Sequence, residues 1–392
     1  MSSQPTSSEA TTQVELTTWA LGNLTGVFIL IGATSSLFGP LLVTFSHHFS
    51  ISLATAGEVL SVYFVGALIG VVPGWWGLKR TTGRRVLTIS LITVAAGTLC
   101  SGLVHSWIIF LASIFLLGLG FGSLDMSLNV LLSRTAAEGR AHRLSFVNAG
   151  YGLGAVICPL LLVLAHPRNF PGVFVAISVV ALALTTFNSG VHAPALKAEV
   201  LQSQISAQKS QRWPILVTFM AGYIFYVAME TSASGWMSSQ LQRGGFSTSL
   251  GSFITAAFWM GITIGRSLGG PLHRIFNDRK LILGGLVLAI VADLGGISNH
   301  VALVSYPLLG LILASVFPMG LVWYTRLLPH DSDGITLILF AMMAGGVIGP
   351  GSVSLLVSHF GVHVIPFAFA SFAAIDLAIF ASILRFQPIE LP

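Results

Sequence analysis

Five acidic side chains lie inside long apolar stretches of this sequence, where no water would solvate a charge. Among the 13 acids of the chain, these five are Glu58, Asp125, Glu230, Asp293 and Asp376. An ionised carboxylate at the middle of a bilayer costs about 2.5–3.5 kcal/mol on insertion scales, so each such residue requires an explanation. A carboxyl group shielded from water favours its neutral form and can exchange a proton when its access to water changes. Proton binding is therefore the chemistry that these residues could carry.

Asp125 is the strongest candidate of the five. Gly118, Gly122, Asp125 and Asn129 are spaced i, i+4, i+7 and i+11, so they form one stripe on a helix. The surrounding stretch contains no Lys or Arg, and the glycines allow another backbone or a ligand to approach closely. We predict that Asp125 is a proton-coupling carboxylate beside a central cavity. The alternative is a carboxyl group that only hydrogen-bonds between helices.

Glu230 is the second proton-coupling candidate. Tyr226 lies one helical turn before it, so the Tyr226 hydroxyl can reach the carboxylate. The alternative role is an ion partner for Arg266 in the next apolar stretch, and the two roles are compatible.

The other three acids are expected to be structural. Glu58 lies near the start of its stretch, where a helix N-terminus favours negative charge. Asp293 and Asp376 have no aromatic or amide companions at helical spacing.

Amides, hydroxyls and aromatic faces in the same stretches could bind a polar solute such as a sugar. The residues that we predict to bind substrate are Ser36, Asn129, Asn148, Tyr151, Tyr226, Trp236 and Trp259. Asn148 and Tyr151 share a helix face at i, i+3. For any single aromatic residue, packing or an interfacial belt is the competing explanation.

The sequence predicts no metal site, no cofactor and no enzymatic activity. All 11 His fall in loops or at the ends of apolar stretches, without metal-ligand spacing inside one. The Gly-rich run at 118–122 lies within an apolar helix and follows no strand, so it is not a nucleotide loop. With no Walker-type P-loop either, energy must come from an ion or solute gradient.

The elements that position these residues are those of an all-α integral membrane protein. The chain has 392 residues, of which 54% are apolar and 8% charged, and this composition excludes soluble, disordered and disulfide-stapled classes. The net charge of +5 is spread over short loops, so no nucleic-acid partner is expected. Apolar runs of roughly 20 residues predict twelve transmembrane helices, near 18–45, 52–76, 87–104, 107–132, 145–165, 171–188, 213–239, 249–270, 281–298, 302–325, 335–358 and 363–385.

The polar stretch 189–212 divides these spans six and six. The predicted regions are a disordered cytoplasmic tail (1–17), an N-terminal six-helix bundle (18–188), a cytoplasmic linker (189–212), a C-terminal six-helix bundle (213–386) and a short tail (387–392). Fifteen Lys and Arg residues lie on one face and two on the other, which predicts cytoplasmic termini. We expect a multi-pass protein of a bacterial inner membrane.

Two local matches indicate that the bundles are pseudo-symmetric. The segments 154–159 and 345–350 agree at four of six positions at an offset of 191. The basic loops 78–85 and 272–280 match at an offset of about 194. This 6+6 arrangement is typical of parallel-repeat secondary transporters.

With this 6+6 arrangement, the chain resembles the major facilitator superfamily over almost its whole length. The turn Arg80-Thr-Thr-Gly83-Arg84-Arg85 is similar to that superfamily's signature loop, although it lacks the usual acid before the Arg. The gating candidates are Arg80 and Arg84, together with Arg266 late in span 8.

Within the superfamily, the chain is most similar to the fucose:proton symporter-like group. The segments that carry this likeness are 118–129, 226–230 with Gly235-Trp236, and Gly265-Arg266. The resemblance implies that an acid in span 4 takes part in proton coupling. It also implies a second acid in span 1, where this chain has Gly39. By the repeat offset of 194, Glu230 occupies the position in the second half that is equivalent to Ser36 in the first half. We therefore suggest that Glu230 supplies the second ionisable group.

The sequence thus favours a proton-coupled symporter that takes up a small polar solute, such as a sugar, by alternating access. The alternative is a proton-driven exporter of amphipathic compounds, including drugs or lipids. A non-transporting sensor of transporter ancestry would be expected to carry a long cytoplasmic domain. The expected partners are the small-molecule substrate, protons and the lipid bilayer, and the expected state is a monomer.

Overall fold

A computed structural model of the chain describes residues 15–16, 18–133, 140–165, 169–192, 209–275, 277–329 and 331–386. Most of the predicted linker and of the two predicted tails lies outside these residues. The described end of the N-terminal tail forms a short antiparallel bridge, in which β1 (Glu15–Leu16) pairs with β2 (Val191–His192).

Helices account for nearly all of the described chain. In chain order they are α1 (Thr18–Ser36), α2 (Phe38–His48), α3 (Leu53–Arg80), α4 (Gly83–Leu103), α5 (Trp107–Ser133), α6 (Arg140–Ala165), α7 (Phe170–Thr186), α8 (Lys209–Arg243), α9 (Thr248–Ile275), α10 (Asp278–Gly295), α11 (Asn299–Leu313), α12 (Val316–Leu327), α13 (Ser332–Phe360) and α14 (Ile365–Ser382). Three short 3-10 segments occur at Phe187–Gly190, Val362–Val364 and Ile383–Arg385.

These helices confirm the predicted twelve membrane spans. Within the described residues, nine stretches are long and apolar enough to cross a bilayer, and two shorter apolar helices cover Ala149–Ala165 and Phe170–Thr186. The twelfth span is α10, whose 18 residues begin with the charged run Asp278-Arg279-Lys280. Span 1 comprises α1 and α2, span 10 comprises α11 and α12, and every other span is a single helix.

Spans 1 and 10 are each interrupted just before a proline. The break in span 1 is at Leu37, and Pro40 is the third residue of α2. The break in span 10 is at Ala314 and Ser315, and Pro318 is the third residue of α12. Proline has no N–H to donate to the carbonyl four residues earlier, so the helical ladder lapses at both places. From sequence alone, the length of span 1 predicts either tilt or a bend at Gly39-Pro40, and the structure has the break.

The chain divides into two compact units. The first contains the described residues up to Ser35, of Val65–Gly154 and of Asn169–Leu201. In it α4 packs against α5 and α7. A Cβ at Gly122 of α5 would overlap the carbonyl oxygen of Ala67, so α5 and α3 are in backbone contact there.

The second unit contains the described residues of Ser36–Phe64, Ala155–Arg168 and Gln202–Pro392. Its centre is α8, which packs against α2, α9, α13 and α14, while α10 packs against α11 and α14. The boundaries at 188 and 213 between the two bundles stay a prediction.

Candidate functional site

Asp125 lies in the first unit on the tightly packed stripe of α5. The Asn129 amide donates to its Oδ1 atom at 3.2 Å and to its backbone carbonyl at 2.9 Å, one helical turn away. The side chain is half-buried, and no cation of the described residues lies within ion-pair distance of it. The structure therefore places inside span 4 a carboxyl group that is held by one neutral amide and is not compensated by any cation of the described residues.

Spans 1 and 5 meet closely in the same unit. The Tyr151 hydroxyl donates to Ser35 Oγ at 2.8 Å, and a Cβ at Gly32 would overlap the Tyr151 carbonyl. Tyr151, a predicted substrate ligand, is thus held by span 1 while it keeps partial exposure. Asn148 lies three residues earlier in α6, but its side chain is outside the described residues.

Glu230 lies in the second unit and forms an ion pair with Arg266. The Arg266 Nη2 and Glu230 Oε1 atoms are 3.6 Å apart, and the two side chains are 38% and 10% exposed. Tyr226 interacts electrostatically with both side chains. The contact with Arg266 is the alternative that the sequence left open for Glu230. The coupling role of Glu230 stays a prediction.

Tyr226 contacts both Glu230 and the end of α11. Its side chain hydrogen-bonds that of Glu230, as predicted, and its hydroxyl also lies 3.4 Å from the carbonyl oxygen of Leu313. Leu313 is the last residue of α11, so its carbonyl has lost its helical partner at the break in span 10. The acid of span 7 and the break in span 10 therefore meet at Tyr226, a contact that sequence reasoning missed because it joins residues 87 positions apart.

Trp236 and Trp259, both predicted to bind substrate, are buried in the second unit. Trp236 is fully buried, and a Cβ at Gly57 would overlap its ring, so it packs on the outer part of α3. The Trp236 indole N–H has no hydrogen-bond partner among the residues that the structure describes. The Trp259 indole donates to Ser234 Oγ at 3.0 Å. In this conformation both rings are packed in the protein interior. The indole N–H of Trp236 is a donor that no acceptor of the described residues uses.

Ser36, the remaining predicted ligand, is the last residue of α1 and is 1% exposed. Its position at the break in span 1 corresponds to that of Leu313 at the break in span 10. Each of these residues ends the first helix of an interrupted span.

Three uncharged hydrogen bonds join first-half segments to second-half helices inside the second unit. Their donors are side chains and their acceptors are backbone carbonyls: Ser61 to Val347 at 3.0 Å, Ser354 to Ala54 at 2.6 Å, and Gln242 to Pro40 at 3.4 Å. We call this contact the outer seam, because the charge pattern predicts that its segments are on the extracellular side. A Cβ at Gly39 would overlap the Ser234 carbonyl, so the backbones also touch along the seam.

The loop arginines proposed as gating residues lie on the surface. The Arg80 guanidinium is 3.9 Å from the centre of the Trp76 ring, as expected for a cation–π contact. Arg84 is exposed in the first turn of α4. Among the described residues neither arginine forms an ion pair. Their gating role stays a prediction.

Sequence reasoning missed a charged cluster at the other end of the second unit. Asp331 caps α13 by accepting from the Gly334 N–H at 2.9 Å, and it accepts two bonds from Arg212, at 2.9 and 3.0 Å. Tyr324 donates to it at 2.7 Å. Burial raises the pKa of this carboxyl, but the hydrogen bonds from Arg212, Tyr324 and Gly334 outweigh burial and lower the pKa below its ordinary value. The Asp-x-x-Gly spacing before span 11 was the available signal for the cap.

Asp293 and Asp376, which the sequence analysis expected to be structural, are completely buried. Neither carboxylate oxygen of either residue has a hydrogen-bond partner within the described part of the chain. A structural carboxyl would normally make hydrogen bonds, so these two groups require another explanation.

The arrangement supplies the parts that a carrier needs. Span 4 contains a carboxyl without an ion partner among the described residues, and span 7 contains one that is paired with Arg266. Spans 1 and 10 are interrupted, and an uncharged contact joins the outer segments. Discontinuous spans with unpaired backbone carbonyls are a recurrent basis of solute and ion sites in transporters.

Comparison with known proteins gives one family and one fold. The sequence profile of the Major Facilitator Superfamily matches residues 24–292. Protein TsgA of Salmonella arizonae is 24% identical over 274 residues, which cover 67% of this chain and 68% of that protein.

Among solved structures, a D-xylose-proton symporter has a TM-score of 0.79 at 14% identity and covers 94% of this chain and 98% of its own. The nucleoside transporter NupG has a TM-score of 0.77 at 12% identity and covers 93% and 100%. At such low identity these two likenesses concern the fold alone.

Proposed function

The chain belongs to the Major Facilitator Superfamily, and from this premise we propose that it is a proton-coupled transporter that takes up a small polar solute by alternating access. It is a multi-pass membrane transporter and not an enzyme. The finer claims of proton coupling, sugar substrate and direction of transport are our proposal. We place it in a bacterial inner membrane with both termini in the cytoplasm, since 15 of the assigned Lys and Arg residues lie on that face against two.

The observation that carries the proposal is the environment of Asp125. A carboxyl in a membrane span, held by the Asn129 amide and without an ion partner among the described residues, favours its neutral form and can release its proton when its access to water changes. Glu230 differs, because Arg266 compensates its negative charge. Asp125 is therefore the better candidate for the group that binds the transported proton.

The outer seam supports the alternating-access part of the proposal. The first-half residues of the second unit, Ser36–Phe64 and Ala155–Arg168, are the outer parts of spans 1, 2 and 5 under the charge-based orientation. Packing of these parts on spans 7 and 11 is what closure of the extracellular side requires. We propose that the predicted bundles 18–188 and 213–386 separate along this seam during transport, in a protein that works as a monomer.

A polar solute suits the predicted substrate ligands. Asn129, Tyr151, Tyr226 and Trp259 supply amide, hydroxyl and indole groups, as sugar recognition requires. Two of the solved structures with this fold are a D-xylose-proton symporter and a nucleoside transporter. We propose a monosaccharide first and keep nucleosides as the second class to be tested.

The substrate class can be tested by thermal stabilisation of the purified protein. D-xylose, L-fucose, uridine, a disaccharide and a cationic dye are added separately, and the shift in the unfolding temperature is measured. Stabilisation by a monosaccharide supports the proposal. Stabilisation by the dye alone would replace it with export of amphipathic compounds.

Proton coupling can be tested in proteoliposomes loaded with a pH-sensitive dye. Addition of the stabilising sugar should acidify the lumen of wild-type vesicles and of the control Glu58→Gln, whose side chain is exposed. Asp125→Asn should abolish acidification and pH-driven uptake but keep counterflow exchange, because the solute site remains. Wild-type acidification by Asp125→Asn would refute the role of Asp125.

A further inference from the structure

Asp376 is a buried carboxyl group that the site described above does not use. It lies in α14, its side chain is 0% exposed, and neither of its oxygens has a hydrogen-bond partner among the described residues. An ionised carboxylate without donors is costly in a low-dielectric interior, whereas the neutral acid costs much less. Asp376 therefore carries its proton in the conformation seen here.

The titratable groups around Asp376 come from α8. Tyr223 interacts electrostatically with it, and the Tyr223 ring lies 5.9 Å from that of Phe380, one turn beyond Asp376 on α14. Tyr226 is the next titratable group on α8. Aromatic contacts also join α14 to Tyr306 of α11, which interacts with Asp293, and to Trp323 of α12. The other long helices that pack against α14 are α10 and α13. Their sequences contain no titratable residue between Lys280 and Asp293 or between Asp333 and His359. Tyr223 is thus the polar group that can respond to the charge of Asp376.

The hydroxyl hydrogen of Tyr223 is engaged elsewhere in this conformation. It is donated to the carbonyl oxygen of Phe317 at 2.7 Å, just beyond the break in span 10. Gly320, one turn further along α12, also touches the Tyr223 hydroxyl, since a Cβ there would overlap it. A hydroxyl has a single hydrogen to donate, so Asp376 receives none while α12 holds this position.

We propose that Asp376 is a second proton-binding site of this protein, and that the Tyr223 hydroxyl controls it by changing its acceptor from Phe317 to Asp376. The break at Ala314 and Ser315 lets α12 move relative to α8, which would release the hydroxyl. The O–H bond of the Asp376 carboxyl then breaks, its electron pair stays on the carboxylate, and the proton passes to water. The nearer end of α14, Ser382, is six residues away, about 9 Å along the helix.

The site is connected to the acid of span 7. The Tyr223 and Tyr226 rings are 6.4 Å apart, and Tyr226 interacts with Glu230. Charge at Asp376 therefore affects the same aromatic pair that contacts Glu230 and the end of α11. The inference rests on the proposed proton coupling, to which it adds a group outside the central stripe of span 4.

The protonation state can be tested without a substrate. Infrared spectra of the protein in nanodiscs are recorded over a pH series for wild type, Asp376→Asn and Asp293→Asn. A neutral carboxylic acid without hydrogen bonds absorbs at the high-frequency end of the carbonyl region. Wild type minus Asp376→Asn should show such a band at neutral pH. If this difference contains only ionised-carboxylate bands, Asp376 is charged and the proposal is overturned.

The role of Asp376 and Tyr223 in transport is tested by the pH dependence of the uptake rate. Asp376→Asn and Tyr223→Phe should lower the pH-driven initial rate to a similar extent, by about ten-fold, and the double variant should be no worse than either. Asp293→Asn is the matched control, because Asp293 is equally buried and without hydrogen-bond partners among the described residues but faces Tyr306 of α11, whose hydroxyl donates to Gln240. It should keep the wild-type pH profile.

Wild-type pH dependence in Asp376→Asn would mean that the acid is a permanently neutral packing group, which overturns the proposal. A different result would contradict the proposed function. Retention of proton transport by Asp125→Asn would remove the role of Asp125, while the infrared band of Asp376 would be unaffected.

Discussion

Span 4 and span 10 occupy equivalent positions in the sequence repeat, but they are built differently. Span 4 is the continuous helix α5 and carries Asp125. The repeat offsets of 191 and 194 shift position 125 to 316–319, which is the first turn of α12, directly after the break in span 10. Where one half has an acid, the other half has an interrupted helix.

Spans 1 and 7 show the same difference with the halves exchanged. The offset of 194 places Glu230, in the continuous helix α8, opposite Ser36 at the end of α1. A continuous helix satisfies its own backbone, so only a side chain can present a polar group inside the membrane. An interrupted helix presents backbone carbonyls such as that of Leu313. In both pairs, therefore, one member supplies a titratable side chain and the other supplies backbone polarity at a break.

The largest expected effect distinguishes Glu230, whose charge is paired with that of Arg266, from Asp125, which has no ion partner among the described residues. Arg266→Gln leaves Glu230 buried without its ion partner, so the free energy of unfolding should fall by about 2 kcal/mol. The double variant Arg266→Gln with Glu230→Gln should recover most of this loss. Asp125→Asn should change stability by less than about 1 kcal/mol, since it removes no ion pair. Thermal unfolding in detergent micelles measures all three, and equal losses for Arg266→Gln and Asp125→Asn would contradict the distinction.

The second prediction concerns the hinges. Pro318→Ala restores the N–H that can bond the Ala314 carbonyl, so span 10 should become more continuous and stability should rise by about 1 kcal/mol. Transport should slow, because α12 can no longer move independently of α11. Pro40→Ala makes the matched change in span 1. Initial uptake rates measure the effect on transport, and unfolding temperatures measure the effect on stability. Faster uptake by Pro318→Ala would show that the break is not a hinge.

The smallest expected effect concerns the Asp331 cluster. Because the pKa of Asp331 is lowered on folding, its contribution to stability is complete above the ordinary carboxyl value, which is about 4. The contribution is lost as the pH falls through the lower folded value. Asp331→Asn should cost about 1 kcal/mol at neutral pH, a modest amount because the cluster is partly exposed. The wild-type and Asp331→Asn stabilities should converge below pH 4, and a constant difference down to that pH would exclude this ion pair as the cause.

The spans and the acids within them could be predicted from sequence, because both depend on local composition. The length of span 1 also indicated either tilt or a bend at Gly39-Pro40. The break before Pro318 was not predicted, since Pro307 and Pro350 lie inside helices that continue through them. A proline alone does not distinguish these cases, because the surrounding packing decides whether the helix resumes without a gap.

The partners of the acids depended on contacts between distant segments. Helical spacing predicted the contact of Tyr226 with Glu230, but it gave no sign of the contact between the Tyr226 hydroxyl and Leu313 at the break in span 10. The expectation of structural roles for Asp293 and Asp376 was reasonable from neighbours along the helix. It could not anticipate that the packed helices offer these carboxyls no donor within the described residues.

The outer seam has a consequence for the response to membrane voltage. Its bonds join hydroxyl and amide groups to carbonyls, and no ion pair contributes to it among the described residues. A charge that crosses the whole membrane potential contributes about 2.3 kcal/mol per 100 mV. If the bundles separate along this seam as proposed, breaking its bonds moves no such charge through the field. An applied potential would then act on the proton and on a charged solute, and the free energy of breaking the seam bonds would be independent of the voltage.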